Sequence, residues 1–131
     1  MNRHTIFSAI VTLTLLGCGS VSTRDEHGTP VRMTQDEFAD YVERVFRYHN
    51  GVVNDLILAT SLSDDPEADF GPELARAEAR MNQECQPLNA VVTATIEGRE
   101  LGMWAKMLLI NQVPDCAYAS QAVDRLMPDV Y

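Results

Sequence analysis

Basic residues are scarce in this chain. Of 131 residues, Lys and Arg together supply 10 and Asp and Glu supply 19, for a net charge of −9. Lys106 is the single lysine and no basic run occurs, so the clustered cations that neutralise phosphates are missing and no nucleic-acid partner is expected. No apolar run approaches the roughly 20 residues that cross a hydrocarbon core. Three Cys are too few for a many-disulfide scaffold, and 7 Gly with 6 Pro are too few for a collagen-like or low-complexity chain. Catalytic signatures are equally absent: no Cys-x-x-Cys-His, no His-Glu-x-x-His, no glycine-rich phosphate loop after a strand. No Ser, His and acid arrangement marks a nucleophile, so an enzyme is not expected. What is present is a 46% apolar chain with the composition of one globular domain.

The N-terminus reads as an address. Asn2, Arg3 and His4 form a short polar start, and the apolar run Ile6-Phe7-Ser8-Ala9-Ile10-Val11-Thr12-Leu13-Thr14-Leu15-Leu16 follows. That length suits a secretory h-region. It ends in Leu15-Leu16-Gly17-Cys18, with Leu at −3, Gly at −1 and Cys at +1, and this resembles the lipobox of a bacterial lipoprotein signal peptide. Leu16 is bulkier than the small residue often found at −2. The resemblance implies cleavage after Gly17, acylation of the Cys18 sulfur and then of its amine, and an anchor of two or three chains at ~0.8 kcal/mol per buried CH2. Gly19 rather than Asp after the Cys resembles the outer-membrane sorting outcome, with the protein facing the periplasm. Loss of residues 1–17 removes one cation, Arg3, and no acid, so −9 becomes −10. An acidic body is repelled by anionic lipid, so the domain is expected to hang from its anchor.

Residues 18–33 read as the lipidated Cys and a flexible tether. Gly19 to Arg32 shows no hydrophobic period and is rich in small and polar residues, with an expected reach on the order of 20 Å. The bundle domain then occupies 34–131. Its first helix opens at Thr34, with Glu37 as the capping-box partner and Met33 with Phe38 at the staple positions. Phe38, Tyr41, Val42, Val45, Phe46, His49, Val52, Val53, Leu56, Ile57 and Thr60 keep a period near 3.6, running through Gly51 without a slip. Residues 61–71 are a loop. A second helix starts at Pro72 and holds Leu74, Ala77, Met81, Cys85, Leu88, Val92 and Thr95 or Ile96 on one face, with Pro87 predicting a kink. Gly98 marks a turn. A third helix, about Glu100 to Gln112, is apolar nearly all round and is expected to be the most buried element. Val113-Pro114-Asp115 is expected to separate it from a fourth helix, Cys116 to Met127. The sum is an all-α, small antiparallel bundle of about four helices.

With Cys18 lipidated, Cys85 and Cys116 remain. Export places them where disulfides persist, and they allow one pairing; two reduced buried thiols are the alternative. Along one continuous helical axis they would lie ~46 Å apart, whereas a bond needs Cα atoms within about 7 Å. A hairpin about Gly98 puts residue 111 opposite Cys85, and the expected turn at 112–115 brings Cys116 back to that level. Hairpin and bond therefore require each other.

The other candidates are weaker. His49 on the apolar stripe reads as a core residue, or as an axial haem ligand with Met81 or Met107. Met103 and Met107 at i and i+4 offer thioethers to Cu(I) but suit packing equally. Asp36, Glu37, Asp40 and Glu43 suit a positive helix end. The run Asp64, Asp65, Glu67, Asp69 lacks calcium-loop spacing and reads as a solvated loop. Two functional readings follow. One is a lipid-anchored, non-enzymatic interaction module for another envelope protein, binding the bilayer through Cys18 and needing no cofactor. The other is a carrier of a small ligand, haem or copper. In its outline of lipobox, acidic body and one disulfide, the chain resembles the small helical pilotin lipoproteins of secretion systems.

Overall fold

Thr34 and Glu37 close the capping box: the Thr34 N–H donates to Glu37 Oε2 at 2.7 Å and the Glu37 N–H donates to Thr34 Oγ1 at 3.2 Å. These bonds, that from the Thr34 backbone first, hold the Glu37 carboxyl below its ordinary pKa. The helix they start is α1, Gln35–Leu62. Met33 and Phe38 both pack against the core. The helix runs through Gly51 as expected and buries Tyr41, Val45, His49, Val52 and Ala59. Past Val53 the expected stripe drifts, and Ile57 and Thr60 turn out to be exposed. The computed structural model describes residues 19–62 and 71–127. Cys18, the expected signal peptide and the acidic run at 64–69 lie outside those residues.

Helix α2, Pro72–Ile96, starts on Pro72 and carries Pro87 in its interior. The β-branched stretch Val91–Ile96 is helical, as its phase with Leu88 predicts. The helix ends in a Schellman motif. The Gly98 N–H donates to the Thr95 carbonyl at 3.1 Å, and the Arg99 N–H donates to the Ala94 carbonyl at 2.8 Å. Gly98 sits at φ 68°, a value that glycine adopts without the steric cost a Cβ brings.

Two helices were expected after that turn; one is found. Helix α3, Met103–Leu126, runs straight through Pro114. A proline inside a helix leaves the carbonyl four residues earlier, here Ile110, without its donor. A side chain replaces it: the Thr23 hydroxyl donates to the Ile110 oxygen at 2.5 Å. The Pro114 ring is itself buried. With no turn at 112–115, the connection spans Glu97–Gly102 rather than Gly98 alone, and the pairing of Cys85 with Cys116 puts the midpoint between residues 100 and 101. That shift lets Cys116 face Cys85 directly.

Thr23 belongs to a second departure from expectation. The stretch read as a flexible tether contains β1, Val21–Arg24, paired antiparallel with β2, Pro30–Met33, in the register Val21↔Met33 to Arg24↔Pro30. The fold is therefore mainly helical, with a small two-stranded sheet, rather than purely all-α. Asp25 organises the loop: its Oδ1 accepts from the backbone N–H of His27 at 2.9 Å and of Thr29 at 2.8 Å, and Gly28 takes φ 82°. The Thr29 amide foremost keeps the Asp25 carboxyl below its ordinary pKa. The hairpin is tied to α3 by the Thr23 bond, by an Arg24–Asp115 ion pair at 3.0 Å, and by Gln121 Nε2 donating to the Glu26 carbonyl at 3.4 Å.

The core lies where the three helices meet and includes Tyr41, Met81, Leu88, Val113, Ala119 and Val123. The expectation that the apolar start of α3 is the most buried element is overturned. Met103, Trp104, Met107 and Leu108 are exposed, and it is the stretch of α3 from Leu109 to Val123 that fills the core. Among the described residues no helix is long and apolar enough to cross a membrane.

Candidate functional site

Each helix contributes to one buried polar cluster. On α2, Cys85 and Asn89 stand one turn apart on one face; on α3, Cys116 and Ser120 do the same; His49 comes from α1. Cys85 and Cys116 lie at disulfide distance, 2.00 Å between sulfurs and 4.6 Å between Cα atoms. Their side chains, with Ser120 and His49, are sealed from solvent. His49 Nε2 is 3.4 Å from Asn89 Nδ2, and His49 Nδ1 is 3.4 Å from Ser120 Oγ, which in turn is 3.6 Å from Cys85 Sγ.

The chemistry orders these contacts. The Asn89 NH2 can only donate, so Nε2 accepts and the ring proton sits on Nδ1, pointing at Ser120. Ser120 is then free to turn its hydroxyl toward the sulfur. Burial lowers the His49 pKa below its ordinary value, so the ring is neutral near pH 7. Ser120 is fully buried, and no substrate reaches its hydroxyl. The ligand atoms of His49, Cys85 and Cys116 lie within 4.8 Å of one another. A metal takes thiolates, however, and sulfurs bonded to each other are not thiolates. Sequence reasoning found both Cys and His49. It missed Asn89 and Ser120, whose i+4 spacing from the two Cys was the available signal.

The proposed partners of His49 in haem ligation are not beside it. Met107 lies 13 residues, ~20 Å of helix, from Ser120, and Met81 lies 8 residues, ~12 Å, from Asn89. Met103 and Met107 share an exposed face.

Two open grooves flank the helices. One, of about 410 Å³, lies between the hairpin, α1 and α3, and is lined by Glu26, His27, Tyr41, Arg44, Tyr48 and Gln121 among others. The Tyr41 hydroxyl is buried there without a hydrogen-bond partner. Burial, then the Glu26 and Asp25 carboxylates, push its pKa up to about 12. The Arg44 guanidinium sits over its ring at 5.6 Å. Tyr48 donates to Asp124 at 2.7 Å; burial and that bond raise its pKa. The larger groove, about 590 Å³, lies between the end of α1 and the start of α2, with Val53, Leu56, Ile57, Leu74, Ala75 and Met81 among its walls.

The chain matches no known protein family, no curated protein and no solved structure.

Proposed function

We propose that this chain is a lipoprotein of the bacterial envelope, fastened to the periplasmic face of the outer membrane through acyl chains on Cys18, and that its helical domain is a non-enzymatic docking module for another envelope protein. The observation that carries this reading is the apolar run ending in Leu15-Leu16-Gly17-Cys18. The oxidised form of Cys85 and Cys116 fits the same compartment.

The docking half is supported by the larger groove. It is open and mostly apolar, the form of site that takes an amphipathic helix rather than a small enclosed ligand. It lies at the end of α1 and the start of α2, and its described lining includes no residue of the β1–β2 hairpin.

Two measurements test the two halves. Cys18→Ala should leave an unprocessed or soluble species, and unchanged membrane fractionation would count against the anchor. A photo-crosslinker at Ile57 or Glu78, on the groove wall, should capture one envelope protein in cells. Capture of the same protein from the distant Arg99, or no capture from the groove, would refute the docking half. Visible absorbance or bound metal in the purified protein would favour the carrier reading instead.

A further inference from the structure

At one end of the α2–α3 hairpin, large apolar side chains have no cover among the described residues: Ile96 is 80%, Met103 75%, Trp104 71% and Met107 53% exposed. Met103, Trp104 and Met107 lie on the first turns of α3 and Ile96 closes α2, so they share the tip of one hairpin. A soluble monomer seldom leaves such a patch without a use for it.

The hairpin of β1 and β2 locates the chain's upstream end relative to this tip. β1 runs along α3 in the same direction: Thr23 bonds to Ile110, Arg24 to Asp115, and the Glu26 carbonyl to Gln121. Followed backward, the chain therefore heads toward the start of α3. Four residues from Thr23 to Gly19 cover ~13 Å when extended, which along a helix equals about nine residues. Counting back from Ile110, that is level with the first turn of α3. Residue 18 comes next.

The same hairpin removes the slack. Only Gly19 and Ser20 separate Cys18 from β1, so the folded domain starts within ~10 Å of that sulfur. A domain held so close does not dangle, and the end it turns toward the bilayer is the apolar one. Charge on the tip itself does not oppose the approach. Between Ile96 and Leu108, Glu97 and Glu100 are balanced by Arg99 and Lys106, whereas the whole chain carries −9. Arg99 and Glu97 are themselves paired at 2.6 Å. Trp is the side chain favoured at the headgroup level, and the Lys106 stem can lie along apolar surface with its ammonium in water.

We infer that the tip formed by Ile96, Met103, Trp104 and Met107 inserts into the lipid leaflet that holds the Cys18 acyl chains, giving the domain a second membrane contact and a fixed orientation. The α1–α2 groove then faces away from the membrane. This inference rests on the reading of Cys18 as the acylated residue.

Trp104 is the only tryptophan, so its fluorescence reports on the tip alone. The processed protein, purified from the envelope, is reconstituted in phosphatidylethanolamine–phosphatidylglycerol vesicles with and without doxyl-labelled acyl chains, and intact mass reports the adduct. With the adduct present, emission should be blue-shifted and lose most of its intensity to the doxyl lipid. Met103→Asp with Met107→Asp should abolish both effects while the protein stays in the membrane fraction. Emission typical of water, quenched by iodide and indifferent to doxyl lipid, would overturn the tip and leave the anchor standing. A blue shift without lipid quenching would mean that protein covers the tip, and would also overturn it. If no adduct is found the anchor reading falls, and protein added to vesicles decides the tip: quenching by doxyl lipid upholds it and its absence overturns it.

Discussion

Thr23→Val is the most direct test of how α3 tolerates Pro114. The change keeps the β-branched shape and removes only the hydroxyl that donates to the Ile110 carbonyl. Pro114 has no N–H to offer in its place, so the variant leaves a partly buried carbonyl unsatisfied. Such a loss costs about 1–3 kcal/mol. For a domain of this size each kcal/mol lowers Tm by roughly 4–8 °C. Urea and thermal melts followed by circular dichroism measure it. The decisive comparison is a double-mutant cycle with Pro114→Ala, because an alanine N–H returns the helix's own donor to Ile110. In that background Thr23→Val should cost well under half as much. Equal penalties in the two backgrounds would show that the hydroxyl does not substitute for the missing backbone donor, and the account of the uninterrupted helix would fail.

Other perturbations have equally definite outcomes. Cys116→Ser should lower stability by about 3–4 kcal/mol, the chain-entropy value for a loop of this length; a melting curve unchanged by the substitution would mean the two sulfurs are not bonded. His49 is buried and its pKa is depressed, so the unfolded chain binds a proton more readily than the folded one. Stability from this group should be complete above the ordinary His pKa of 6.5 and fall as pH drops below it. Asp25 and Glu37, also depressed, lose their contribution only at lower pH, below their ordinary 3.8 and 4.5. Urea melts at pH 7.5 and pH 5.5 should therefore differ in the native protein, and His49→Gln should flatten the difference. Gly98→Ala puts a Cβ at φ 68° and should cost about 1 kcal/mol, seen as a lower urea midpoint with an unchanged slope.

The parts of the fold legible beforehand are those set by local chemistry. Thr34 and Glu37 announce a helix start because their bonds lie within one turn. Gly51 keeps its helix because the apolar phase on either side of it agrees. The Cys85–Cys116 hairpin was readable because a bond between them rules out one continuous axis. Two features were not readable. Strands of four residues are too short to show a period, and the Asp25–Gly28 turn between them is a weak signal alone. Pro114 looked like a stop because the donor that replaces its N–H stands 91 positions upstream, outside any local window.

The sequence alone therefore determined the starts of α1 and α2, the glycine turn, the number of cysteine pairings and the resemblance of residues 1–18 to a lipoprotein signal, all of which depend on neighbours along the chain. Tertiary structure decided that α3 is continuous, that residues 21–33 are folded onto it, and that the apolar start of α3 faces outward. Each of these rests on which segments reach one another in space. A carbonyl freed by proline is costly or harmless according to whether a hydroxyl arrives from elsewhere, and an apolar turn is core or surface according to whether another helix extends far enough to cover it.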